Sequence, residues 1–164
     1  MFKKIHPDYV RSLMFGLEDA LISTTGSAVG VSVGVQNKSI ILLACFVYVA
    51  VEAISMAASQ FLSERTVHEM AKEKHTDNLY VGTFIMFLAY IFGGILPMLP
   101  ILIFPLPYAI YFSVAFAFIW LFIIGFIKGK FVCISPFRSA LEMLVVGGAS
   151  ASVGVLVGYV LKLR

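Results

Sequence analysis

Four carboxylates stand in stretches of this chain that are otherwise apolar: Glu18, Asp19, Glu52 and Glu142. No Lys or Arg lies inside those stretches. A charge at the centre of a membrane helix costs about 2.5 to 3.5 kcal/mol even on a lenient insertion scale, so four unpaired acids would cost on the order of 10 kcal/mol. They must therefore be protonated or visited by something positive. Helix rise places them in depth: Asp19, eight residues beyond Arg11, is about 12 Å in from the edge, and Met56, nine residues before Arg65, is about 13 Å in. Glu52, one turn beyond Met56, is about 20 Å in and level with Ser23 and Gly26. One stripe of the second stretch thus carries Glu52, Met56, Ser59 or Gln60, and Ser63, opposite a polar stripe on the first. Carboxylates with a thioether suit a divalent transition metal, Fe²⁺ or Mn²⁺, because Met sulfur is poorly matched to Mg²⁺ or Ca²⁺. A lone Met in an apolar helix is ordinarily packing, so the reading rests on Asp19 and Glu52. Glu18 points about 100° away from Asp19, toward a different neighbour. Glu142 follows Arg138 by four residues, the spacing of an ion pair on one helix face.

The elements that hold these groups follow from composition. Of 164 residues, 60% are hydrophobic and 13% charged, with a mean hydropathy of +0.98, whereas soluble domains run near 45 to 50% apolar and about 25% charged. An all-α integral membrane protein is expected, with five spans at about 13–35, 40–62, 79–103, 107–127 and 139–161 in a single transmembrane domain, residues 1–164. Short turns join them, except for a polar connection at 63–78. Lys3, Lys4, Arg11, Arg65, Lys72, Lys74, Lys128, Lys130 and Arg138 fall on one side and Lys38, Lys162 and Arg164 on the other. The excess of basic residues on cytoplasmic loops then puts the N-terminus and the 63–78 connection in the cytoplasm and the C-terminus outside. A signal peptide is not expected, because Glu18 and Asp19 interrupt the apolar stretch after Lys3 and Lys4.

Small residues on one face of the first span (Gly16, Ser23, Gly26, Gly30, Gly34) and of the fifth (Gly147, Ala151, Gly154, Gly158) predict close helix approach and a central place for both. The fourth span, with Phe112, Phe116, Phe118, Trp120, Phe122 and Phe126, reads as bulky all round and lipid-facing. Cys45 and Cys133 have no CxxC spacing, so neither a disulfide framework nor a zinc site is suggested. An enzyme is not expected: there is no nucleophile and base arrangement and no phosphate loop, and His6, His68 and His75 lie outside the spans. The net charge of +3 marks membrane orientation rather than nucleic-acid binding.

Three segments in order, GLEDALIST at 16–24, EAISMAASQFLS at 52–63 and GGILPMLP at 93–100, resemble the vacuolar iron transporter family, and the Gly-rich fifth span completes the likeness. The resemblance implies a five-helix protomer, a homodimer with the conduction path between protomers, and Fe²⁺ or Mn²⁺ moved out of the cytoplasm in exchange for protons. It implies no permanently bound cofactor. Asp19 matches the family's first-helix aspartate and Met56 its second-helix methionine, both on the metal path. Glu52, Glu18, Ser23 and Gln60 join them as candidate path residues. The chain departs from the pattern where Ser12, rather than an acid, follows Arg11, where Gln60 replaces a Glu, and where Glu52 replaces a Gly. It departs most at 63–78, which in plant-type members is a long helical domain rich in metal-binding acids. Here Glu64, His68, Glu69 and Glu73, at four-residue spacings, are the candidates for a short metal entrance, against a solvated charged turn balanced by Arg65, Lys72 and Lys74. A passive metal or proton channel and a non-transporting scaffold are the rival readings. The small size points to a prokaryotic plasma membrane, with an organelle membrane as the alternative.

Overall fold

The structure is a computed structural model and describes residues 6–70, 78–106 and 108–162. Five helices follow one another: α1 (Pro7–Gly34), α2 (Lys38–Met70), α3 (Leu79–Ile103), α4 (Tyr108–Phe131) and α5 (Pro136–Val160), with no strand among the described residues. Their ends follow local chemistry. Pro7 and Pro136 open α1 and α5, where the missing N–H is not needed. The Asn78 side chain accepts from the Tyr80 N–H at 3.0 Å at the start of α3, and Asn37 accepts from the Ser39 and Ile40 N–H groups at 3.0 and 3.3 Å at the start of α2. At the far end of α3 the Lys38 ammonium donates to the Leu102 and Phe104 carbonyls at 2.9 and 3.1 Å, a cation on a helix C-terminus.

Four of these helices, α2 to α5, are long and apolar enough to cross a membrane. The fifth, α1, has the length but carries Glu18, Asp19 and many Ser, Thr and Gly residues. Its place in the bundle explains that composition. α1 packs on all four other helices, most extensively on α3 and α5, and Ala20, Leu21, Thr24, Thr25 and Ala28 are essentially inaccessible. A helix shielded by its neighbours does not need the apolarity of one facing lipid. Most of the exposed large side chains lie on the outer helices, among them Leu43, Val51 and Ile54 on α2, Phe84 and Phe92 on α3, and Tyr111 and Ile119 on α4, with Leu13 and Phe15 the exceptions on α1. That is the distribution of an integral membrane protein, in which lipid replaces water around the bundle.

Small residues set the helix contacts. A Cβ on Gly93 would lie 3.0 Å from the Ala20 Cβ and from the Leu17 carbonyl oxygen, and one on Gly16 2.9 Å from the Ala89 Cβ, so α1 and α3 touch nearly backbone to backbone. Gly26, Gly30 and Gly34 of α1 meet Ser150, Gly154 and Gly158 of α5 in register, a parallel seam of the kind that close packing in lipid favours. GSAVGV at 26–31 and ASVGV at 151–155, short stretches of similar sequence, lie on the two sides of this seam.

The fold corrects several expectations. α5 is not central: among the described residues it touches only α1 and α4, and most of its surface is open. α4 is not bulky all round, because Ala109, Ser113, Ala117, Leu121 and Gly125 form a buried stripe beneath its aromatic face. The polar connection is helical through Met70: α2 continues through Glu64 and His68 instead of ending at 62. The stretch from Ser63 extends a helix already nucleated in the apolar segment, and propagation costs far less than a new start.

Candidate metal pathway

Two cavities flank α1 and α2 at opposite ends. The first, about 1010 Å³, is lined on α1 by Arg11, Ser12, Phe15 and Glu18, on α2 by Met56, Ser59, Gln60, Ser63 and Glu64, and closed by Met86 of α3 and Lys128 of α4. The second, about 570 Å³, is lined by Ser23, Gly26, Ser27 and Gly30 of α1, Cys45 and Tyr48 of α2, and the glycine face of α5. On α1 the first cavity ends at Glu18 and the second begins at Ser23; on α2 they end and begin at Met56 and Tyr48. Asp19 and Glu52 occupy the stretch between, and they lie close enough for each carboxylate to feel the other's charge. Neither forms an ion pair with a described residue.

A hydroxyl network braces this stretch. The Ser23 hydroxyl donates to the Asp19 carbonyl at 2.6 Å and lies 2.9 Å from the Tyr90 hydroxyl, with the Tyr48 hydroxyl near enough to interact with it. Tyr90 is fully buried, packed with Ala20 and Ala53 and flanked by Met56. Sequence reading passed over both tyrosines, although a Tyr within an apolar helix is a signal in itself, since its buried hydroxyl needs a partner. Met56 thus stands at the inner end of the first cavity and beside the Tyr90 cluster, one helical turn from Glu52.

The first cavity holds ion pairs that spacing did not reveal. Glu18 is not an acid without a base: the Lys128 ammonium, at the end of α4, donates to its Oε2 at 2.9 Å. The expected fourth span ended at 127, but the helix runs on to Phe131 and a lysine stem is long enough to reach inward from its last turns. Opposite, Arg11 pairs with Glu64. Gln60 donates to the Ser12 hydroxyl and to Glu64 Oε1, the latter at 3.2 Å. The two departures at Ser12 and Gln60 therefore touch each other, a neutral donor and acceptor where the resemblance leads one to expect two acids.

The expected metal entrance takes another form. Glu64 turns to Arg11 and Gln60, and Glu69 pairs with Arg65 at 2.8 Å, a contact that holds the exposed guanidinium more firmly protonated. His68 stands on the same helical extension, and Glu73 lies outside the described residues. No group of three His, Cys, Asp or Glu side chains converges on one point among the described residues. Glu142 pairs with Arg138 at 3.1 Å, as its spacing implies. The chain thus offers carboxylate, thioether, amide and hydroxyl groups in series along α1 and α2 rather than one closed cage.

Fold and site together define a helical integral membrane protein with a line of polar groups buried along its central helix. The sequence profile of the VIT family matches residues 10–79 and 68–159, and the chain belongs to that family. Vacuolar iron transporter 1 of Arabidopsis thaliana is 35% identical over 72 residues, 43% of this chain and 29% of the relative. The match thus spans less than a third of that relative's length.

Proposed function

We propose that the protein moves a divalent transition metal, Fe²⁺ or Mn²⁺, out of the cytoplasm by exchange for protons. One observation carries the reading. Asp19 and Glu52, two carboxylates without a basic partner among the described residues, stand where a cavity from one end of the bundle and a cavity from the other approach each other along the same two helices. Adjacent acids in this position favour a dication over a monovalent ion by simple Coulomb attraction, and the same carboxyls take protons when the metal leaves, so competition between metal and proton supplies the coupling. Met56, at the inner end of the first cavity, selects a transition metal over Mg²⁺ or Ca²⁺. Family membership and the relative named for vacuolar iron support metal as the cargo.

In this reading α1 crosses the membrane with the other four helices, the end bearing Arg11, Arg65 and Lys128 faces the cytoplasm, and a second copy covers the open face of α1 between α2 and α5. The membrane is a prokaryotic plasma membrane in our reading, and the relative is named for a vacuole, so fractionation decides between them. Fe²⁺ and Mn²⁺ uptake into proteoliposomes, with and without a pH gradient, tests the whole. Accumulation driven by the gradient and lost in Asp19→Asn is the expected result. Flux that only equilibrates would replace antiport by a channel, and no flux in either protein would leave a scaffold.

A further inference from the structure

The ion pair between Glu18 and Lys128 has no place in the pathway as described, yet both side chains line the first cavity. Glu18 is 14% exposed and Lys128 36%, so the carboxylate is largely buried while the ammonium keeps partial contact with solvent. The ammonium holds only one carboxylate oxygen. Glu18 Oε1 is buried without a hydrogen-bond partner among the described residues, and so is Gln60 Oε1 on the α2 wall. Buried acceptors are nearly always hydrogen-bonded, so these two oxygens have capacity left for a cation or a water. Lys128 is the inward member of its pair, since Lys130, two residues on, rests 4.9 Å from the centre of the Phe126 ring. The four ionisable groups named on the cavity wall, Arg11, Glu64, Glu18 and Lys128, sum to no net charge.

We propose that Lys128 is a tethered competitor for the metal: its ammonium occupies Glu18 in the empty cavity, an incoming divalent ion displaces it, and the strength of the pair sets the affinity for the ion. The inference rests on the metal-transport reading and deepens it. A dication engages both Glu18 oxygens, with Gln60 and Met56 on the wall of the same cavity, whereas the ammonium satisfies one oxygen. The displaced lysine has a place to go, because its four-carbon stem springs from the last turns of α4, where exposed helix-end carbonyls accept a cation. Lysine suits the role better than arginine: a point charge on a flexible stem leaves more easily than a planar fork bound through two hydrogen bonds.

The test is equilibrium Mn²⁺ binding to the detergent-purified protein carrying Asp19→Asn and Glu52→Gln, the reference for each variant below because it leaves the first-cavity site to report alone, with Mn²⁺ uptake by wild-type proteoliposomes alongside. Lys128→Met should tighten Mn²⁺ binding about tenfold, the size of one charge-assisted contact removed from the competition. Glu18→Gln should weaken it, and Lys128→Met added to Glu18→Gln should then change nothing further. A Kd for Lys128→Met within twofold of that reference, or an equal tightening in the Glu18→Gln background, overturns the proposal. Should Lys128→Met fail to fold, Lys128→Arg decides: the fork holds Glu18 more firmly and should weaken Mn²⁺ binding threefold or more, and an unchanged Kd overturns it. Wild-type protein that carries no Mn²⁺ across the bilayer, with the binding changes intact, would remove the transport reading and leave the competitor standing.

Discussion

Replacing Gly30 by Ala tests whether the seam between α1 and α5 positions the pathway. A Cβ at Gly30 would lie 2.8 Å from the Gly154 carbonyl oxygen and 3.2 Å from its carbonyl carbon and Cα. These are backbone atoms, so no rotamer change relieves the contact, and ordinary packing is restored only if α5 withdraws by about 0.6 Å. Overpacking of this kind costs about 1 to 3 kcal/mol. Alanine also gains up to about 1 kcal/mol of helix propensity over glycine, which obscures a single measurement. Gly148, in the interior of α5, removes that ambiguity: its Cβ would meet only the Phe118 ring, at 3.8 Å. Both variants gain the propensity term, and only Gly30→Ala suffers the clash. Thermal unfolding in detergent should therefore place Gly30→Ala below Gly148→Ala by about 2 to 12 °C, taking the scaling for chains of this size. Coincident melting of the two variants would refute the close parallel seam and with it the geometry of the second cavity.

Tyr90→Phe keeps the ring and removes the hydroxyl that contacts Ser23. It should cost about 1 kcal/mol of stability and slow metal uptake; uptake equal to wild type would detach the tyrosine from the path. Gln60→Glu loses the donation to Ser12 and places a second carboxylate beside Glu64. The variant should melt below wild type in EDTA and gain more stability from Mn²⁺ than wild type does, which a thermal shift with and without the ion measures.

The path was most legible where a single residue type is costly in lipid. Asp19 and Glu52 stood out because a carboxylate in an apolar helix demands a reason, and helix rise alone set Met56 one turn from Glu52 along one stripe. The glycine faces showed which helices approach closely. What spacing does not carry is the partner from another helix. Glu18 and Lys128 are 110 residues apart, Arg11 and Glu64 are 53 apart, and Gln60 and Ser12 are 48 apart. Each pair exists only because α1 lies in the middle of the bundle with α2 and α4 on either side. The central place given to α5 failed for a related reason: a glycine stripe shows that a helix is approached on one face and says nothing of its other faces.

The charge arrangement along α1 gives the proposed path a direction. At the first cavity every acid on the wall named here has its own cation, Glu18 with Lys128 and Glu64 with Arg11, so an arriving dication meets competition. Beyond them, Asp19, the next residue on α1, and Glu52, one turn past Met56 on α2, have no such partner among the described residues and repel each other when both are ionised. Two like charges in a low-dielectric setting hold a dication or a proton far more strongly than either acid alone. On the proposed metal and proton exchange, the ion would leave a site it shares with the protein's own cations for one it shares only with protons. Binding would then strengthen inward as far as the carboxylate pair, and release toward the second cavity, whose α1 wall is mostly Ser and Gly, would fall to the protons that take the metal's place.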